Sequence, residues 1–167
     1  IYNGLKSVDW AGRLQELDYC YSSNRNSTIP LLLDGAHNGI AAIELGKFLR
    51  AKYGEIPLTF IIAVTSGKKL EPLLKPILRG VDKVVVTEFG EVDDMPWIHP
   101  TPSDELALFI KEKFTRNIEI QPVLREVIPS LASNPEGISN PIVVCGSLYL
   151  CGELLRIHNE NIGTSRG

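Results

Sequence analysis

A chain of 167 residues that is 44% hydrophobic and 22% charged can bury one core and is short for two, so a single domain over 1–167 is expected. Its formal net charge of −3 and pI near 5.6 provide no broad basic surface for phosphate backbones, which argues against nucleic-acid binding. The apolar runs, such as Leu58 to Val64 and Pro141 to Cys145, are of strand length, far below the roughly 20 residues that span a membrane.

The chain starts at Ile1 with neither an initiator Met nor a leader segment, which suits a piece of a longer protein. Asp9-Trp-Ala-Gly-Arg-Leu-Gln15 comes first. Its Trp, small residue and Gly lock a loop and project one guanidinium, Arg13, which either clamps phosphate or carboxylate oxygens or stacks on Trp10. Leu14 to Tyr21 alternate as a strand, and Ser22 to Pro30 read as a polar hairpin tip.

Leu31 to Leu33 predict a buried strand, and Ala41, Ala42, Leu45, Phe48 and Leu49 recur at helical spacing, so Ala41 to Lys52 predict a helix. The turn between them, Asp34-Gly-Ala-His-Asn-Gly39, therefore lies at the carboxyl end of a strand and faces a helix amino terminus. Open α/β sheets bind ligands there, and the unpaired N–H groups and positive dipole end favour anions. Asp34, His37 and Asn38 are its polar groups. Read singly, Asn38 is equally an N-cap, Gly35 a tight turn and His37 a loop histidine.

Leu58 to Ala63 predict the next strand. It leads through Val64-Thr-Ser-Gly-Lys-Lys69 into a helix over Leu70, Leu73, Leu74 and Leu78. The Gly-Lys pair is not a P-loop, because no Gly stands at position 62 and Lys69 replaces the required Ser or Thr. Lys68 and Lys69 either hold a carboxylate or phosphate or are a solvated helix start. Val81 to Glu88 predict a third buried strand, and Phe89 to Pro102 a proline-rich loop. Its acids, Glu91, Asp93 and Asp94, lack metal-ligand spacing, and His99 is read as structural. Ser103 is expected to cap a helix through Leu106, Phe109, Ile110 and Phe114, followed by a strand at Ile118 to Ile120 and a helix from Val123 to Ala132.

Pro141-Ile-Val-Val-Cys-Gly-Ser-Leu-Tyr-Leu-Cys-Gly-Glu-Leu155 reads as a buried strand entering a last helix, with Ile157 to Gly167 its end and a polar tail. Ser147 sits at the turn. It is no nucleophile elbow, since position 149 is not Gly, and an N-cap role is the plain alternative. The three cysteines, Cys20, Cys145 and Cys151, are odd in number, lie in or beside apolar runs and show no zinc spacing, which suits reduced core thiols. Fivefold alternation of strand and helix predicts an α/β, Rossmann-like doubly wound, mostly parallel sheet with right-handed crossovers. No strand leads into Gly-x-Gly-x-x-Gly, so a nicotinamide enzyme is disfavoured.

Three of these stretches, in order and spread from Trp10 to Gly152, resemble the carboxyl-terminal domain of the dihydrofolate synthase and folylpolyglutamate synthase family of the Mur ligase superfamily. The first resembles that family's Trp-Pro-Gly-Arg-Leu-Gln, with Ala11 in place of Pro. The second resembles its Asp-Gly-Ala-His-Asn, and the third its Gly-Ser-Leu-Tyr-Leu-Val-Gly, with Cys151 in place of Val. The resemblance implies an ATP-dependent ligase that joins L-glutamate to dihydropteroate or a folate through an acyl phosphate. It also implies an ATPase domain preceding this chain, which carries the P-loop and the Mg2+ ligands, so the isolated chain is expected to be inactive.

By the same resemblance, Arg13, Asp34 and Asn38 face ATP, while His37, Lys68 and Ser147 position glutamate. His37 and Lys68 are the catalytic candidates, and His37 is an alternative base for the amine. The Leu-Gln after Arg13 and the Leu-Tyr-Leu after Ser147 resemble dihydrofolate synthases and bacterial bifunctional enzymes more than eukaryotic folylpolyglutamate synthases, so dihydrofolate synthase is favoured, with a folylpolyglutamate synthase or a bifunctional enzyme as the alternative. A cytoplasmic monomer is expected, with a mitochondrial address as the alternative. A non-catalytic nucleotide-binding module and a cell-wall Mur ligase are the competing readings.

Overall fold

The computed structural model describes residues 12–164. The elements are β1 (Gln15–Cys20), β2 (Thr28–Asp34), α1 (Gly39–Tyr53), β3 (Thr59–Ile62), α2 (Leu70–Leu74), β4 (Lys83–Glu88), α3 (Ser103–Lys113), β5 (Ile118–Val123), α4 (Leu124–Ser133), a 3-10 turn (Pro135–Ile138), β6 (Ile142–Cys145) and α5 (Leu148–Thr164). They build a six-stranded sheet in the order β1-β2-β6-β3-β4-β5. β1 pairs antiparallel with β2, and every other neighbouring pair is parallel. This is the mixed α/β, mostly parallel sheet that the alternation predicts. No helix among the described residues is long and apolar enough to cross a membrane.

Strand side chains alternate between two apolar layers because successive Cβ atoms point to opposite faces. Leu32, Phe60, Ile62, Val84, Val86 and Val143 meet α1, α2 and α3 on one face. Leu31, Leu33, Ile61, Val85, Ile142 and Val144 meet α4 and α5 on the other. Burial on both faces is why the central strands read as unbroken apolar runs.

Several boundaries differ from the sequence expectation. The expected hairpin tip ends early, because β2 already begins at Thr28 and includes Pro30. Pairing with β6 starts only at Leu31, so the missing Pro30 N–H breaks no ladder on that side. The helix expected through Leu78 stops at Leu74. Pro76 has no N–H to give Pro72, and the chain continues in turns, with the N–H groups of Ile77 and Leu78 both donating to the Leu74 carbonyl. Ser103 is not the cap of α3. Pro102 holds that position, and the Ser103 N–H donates to the Glu88 carboxylate at the end of β4, 2.9 Å away. β5 runs three residues past Ile120, through an irregularity opposite Val86 and Glu88, so Val123 closes a strand and does not open a helix. The helix end expected within Ile157 to Gly167 falls at Thr164, the last of the described residues.

Two buried polar locks tie loops to this frame. Asp82 accepts from the N–H of Leu58 and Arg79 and from the Arg79 guanidinium, closing the amino-terminal edge beside β3. At the far end of α5, His158 stacks on Tyr19 and its Nδ1 accepts the Cys20 N–H at 2.9 Å. An N–H only donates, so this ring nitrogen must be unprotonated, and burial lowers the His158 pKa below its usual 6.5. The folded state thus binds fewer protons at His158 than the unfolded chain. The stabilisation is complete above pH 6.5 and is lost as pH falls through the lowered value. His158→Gln keeps an acceptor that does not titrate, so its melting temperature should fall less than that of the wild type between pH 7.5 and pH 5.5, as read by thermal denaturation.

Candidate functional site

β2 and β6 are adjacent and parallel, with Asp34 beside Cys145. β2 feeds α1 on one face and β6 feeds α5 on the other, so the two chains part at their carboxyl ends and leave a crevice between them. A cleft of about 780 Å³ opens there. Arg13, Asp34, His37 and Asn38 line it, and Ile40, Phe48 and Leu148 are among its apolar walls. Leu14, Ile40 and Leu148 are 43%, 81% and 47% exposed, so its rim is apolar. A second groove, about 650 Å³, lies at the opposite edge of the strands between Glu16, Pro30, Tyr53 and Ile142, away from the helix amino termini.

Asn38 caps α1, its Oδ1 accepting the Ala41 N–H at 2.9 Å, which leaves the Gly39 and Ile40 N–H groups at the mouth of the helix. The His37 Nδ1 lies 2.9 Å from the Gly35 carbonyl. A carbonyl only accepts, so Nδ1 carries a proton, and in the neutral ring it is Nε2 that has the lone pair for a ligand. Asp34 is buried, with Oδ1 accepting from the Ala36 N–H and Oδ2 from the Leu14 N–H. Burial raises its carboxyl pKa, against the opposing pull of those two bonds and of the Arg13 charge. The exposed Arg13 occupies a turn stitched to β2, because the Gly35 N–H donates to the Gly12 carbonyl at 2.6 Å.

The other two expected site residues do not line this cleft. Lys68 is exposed in the loop after β3. That loop is fastened to the 99–101 segment by the Ser66 N–H on the His99 carbonyl and the Thr101 N–H on the Val64 carbonyl. His99 thus serves through its backbone. Ser147 is 1% exposed, and its Oγ accepts the Tyr149 N–H at 3.1 Å, the capping role that was its plain alternative. Trp10 and Ala11 lie outside the described residues.

Sequence reasoning missed the apolar walls Ile40 and Leu148, and also the Gln15 side chain, which accepts the Gly12 N–H. Cys20, Cys145 and Cys151 are free and buried; burial pushes the Cys145 thiol well up and the Cys151 thiol to about 12. Among the described residues no group of three or more His, Cys, Asp or Glu side chains could hold a metal ion.

Comparison with known proteins shows the family. A family model described as "Dihydrofolate synthetase, C-terminal domain" matches residues 15–157. The chain is 55% identical over 159 residues to the dihydrofolate synthetase of Saccharomyces cerevisiae, covering 95% of this chain and 37% of that protein. It is 51% identical over 156 residues to a probable folylpolyglutamate synthase of the same yeast, covering 93% of this chain and 36% of that protein. The crystal structure of a folylpolyglutamate synthase from Thermotoga maritima superposes with a TM-score of 0.67 at 25% identity, over 94% of this chain and 32% of that one. The chain thus spans little more than a third of the length of the curated relatives it matches.

One glycine lets the chain leaving β6 pass close to the end of β3. Gly146 leaves β6 with φ +110°, and a Cβ there would sit 2.5 Å from the Ala63 carbonyl oxygen, a backbone atom that cannot move aside. Gly146→Ala combines left-handed strain with a backbone clash and should destabilise the fold by about 3 kcal/mol or more in denaturant titration.

Proposed function

Because the chain belongs to the dihydrofolate synthetase carboxyl-terminal domain family, a group of folate-related glutamate ligases, we propose that it is the glutamate-ligase domain of a dihydrofolate synthase that consumes ATP. In this reading the acceptor carboxylate of dihydropteroate attacks the γ-phosphorus of ATP, releasing ADP and forming an acyl phosphate. The amine of L-glutamate then attacks the acyl carbon, phosphate leaves, and the amide remains. The observation that carries the reading is the convergence of Arg13, Asp34, His37 and Asn38 in one cleft at a strand-end crevice.

Each side chain has work suited to its chemistry. Arg13 forks onto phosphate oxygens and neutralises charge that builds as γ-phosphate transfers. The open N–H groups at the start of α1 support the same anion. Asp34 and Asn38 stand on the ribose side. In the neutral ring, with Nδ1 donating to the Gly35 carbonyl, the His37 Nε2 accepts the proton that the glutamate amine sheds. Lys68, exposed at the neighbouring end of β3, holds glutamate by charge when the remainder of the ligase closes over the cleft, excluding water from the acyl phosphate, while the buried Ser147 hydroxyl shapes the same edge as the cap of α5. That remainder, an ATPase domain ahead of this chain, carries the P-loop and the Mg2+ ligands. No cluster of three or more His, Cys, Asp or Glu side chains among the described residues could hold that ion.

A second reading, addition of glutamate to tetrahydrofolate, is favoured by the 51% identity to a probable folylpolyglutamate synthase. ADP release by the full-length protein, with ATP, magnesium and glutamate, separates the two. Turnover with dihydropteroate alone supports the first, turnover with tetrahydrofolate the second, and silence with both overturns each. In the same assay Arg13→Ala should raise the KM for ATP about tenfold or more, and His37→Ala should lower kcat by about a hundredfold. Unchanged kinetics in both variants would overturn the residue roles.

A further inference from the structure

Leu14 is a residue with a Cβ held at φ +44°, in the left-handed region where such residues are strained. Its side chain is 43% exposed, so core packing does not hold the backbone there. A hydrogen bond does: the Leu14 N–H donates to Asp34 Oδ2 at 3.1 Å, while Oδ1 of the same carboxylate takes the Ala36 N–H at 2.8 Å. Gly12, at φ +76°, is fixed on both sides, its N–H on the Gln15 amide oxygen and its carbonyl under the Gly35 N–H. Arg13 lies between these two left-handed residues. Its backbone direction is therefore set by them, and both are referenced to the end of β2.

We propose that Leu14 is a positioning residue: its left-handed backbone, clasped by the Asp34 carboxylate, aims Arg13 at the nucleotide and couples the Arg13 turn to the His37 turn. Strain of this kind persists only where surrounding bonds over-determine it. One carboxylate with two acceptor oxygens meets two backbone donors, a demand that an amide cannot satisfy because its nitrogen would face an N–H. Asp34 thereby acts on the phosphates through Leu14 and Arg13, in addition to any contact of its own with the ribose. The inference rests on the reading that Arg13 binds ATP.

Position 14 makes the test specific, because backbone preference and side-chain apolarity rank its substitutions in opposite orders. Asn adopts the left-handed region with ease, whereas a β-branched Val resists it. In the full-length protein, Leu14→Val should raise the KM for ATP about tenfold while kcat changes less, and Leu14→Asn should raise it less than about threefold. Asp34→Asn should also raise that KM about tenfold or more, and adding Leu14→Asn to it should recover most of the loss.

The opposite order, with Val near wild type and Asn impaired, would show that only the apolar side chain matters and would overturn the proposal. An equal rise in that KM for Leu14→Val and Leu14→Asn would do the same. Amide exchange supplies a readout independent of turnover: the Leu14 N–H should be protected in the wild type and exchange faster in Asp34→Asn. Equal exchange would overturn the clasp. A full-length protein inactive with both acceptors would overturn the functional reading alone, leaving the exchange result to decide the clasp.

Discussion

The position of β6 is the constraint on which the other features depend. The last strand to appear in the chain enters the sheet between β2 and β3, with Cys145 in register with both Asp34 and Ile62. A central strand buried on both faces must be apolar throughout, and Ile142 to Cys145 are all buried. Once β6 is in place, its helix can cover only the face that α1 leaves free. The carboxyl ends of β2 and β6 then diverge, and the crevice follows from topology before any polar residue is considered.

Close approach of the backbone keeps this edge narrow. Gly35 would bring a Cβ to 2.2 Å from Leu148 Cδ2, and Gly146 passes close to the Ala63 carbonyl. Both residues belong to motifs singled out by their polar neighbours, yet Gly146 is required by a backbone contact, while Gly35 faces the movable Leu148 side chain. Polar groups at the opposite edge serve the fold alone. The Asp82 side chain is fully buried and fully employed by Leu58 and Arg79. Nearby, the three Arg50 guanidinium nitrogens are buried with no hydrogen-bond partner, and burial together with the Arg79 charge lowers the Arg50 pKa. The Asp82 and Glu55 carboxylates act against that lowering, and the residue sits at the edge remote from the cleft.

The chemistry proposed for the cleft divides along the same geometric line. Anion-binding elements cluster on the β2 side, where a helix amino terminus and Arg13 lie together, whereas Lys68 and Ser147 belong to the ends of neighbouring strands. An acyl phosphate needs phosphate neutralisation and amine delivery at one point, with water excluded. A strand-end cleft with an apolar rim suits the second requirement only when another surface covers it. In the proposed reading that surface is the ATPase domain of the full ligase.

Much of this was legible in the amino-acid order, for physical reasons that particular residues show. Apolar runs such as Leu31 to Leu33 and Val84 to Val86 identified buried strands, because burial on both faces leaves no other composition. Asp34-Gly-Ala-His-Asn38 announced a strand-to-helix turn and its cap, since those local preferences act over a few residues. Proline and carboxylate effects across the fold escaped that reading. Pro76 shortened a helix whose apolar spacing was sound, and the cap of α3 came from Glu88, fifteen residues away. What the sequence determined by itself was the class of fold, the motif turns and the identity of the polar groups, all of them local or compositional properties. Only the tertiary structure decided that Arg13, Asp34, His37 and Asn38 share a cleft while Lys68 and Ser147 stand outside its lining, and that Asp34 holds Leu14. Those facts depend on which strand ends become neighbours, and β6 entering the sheet last in sequence but near its middle in space sets that order.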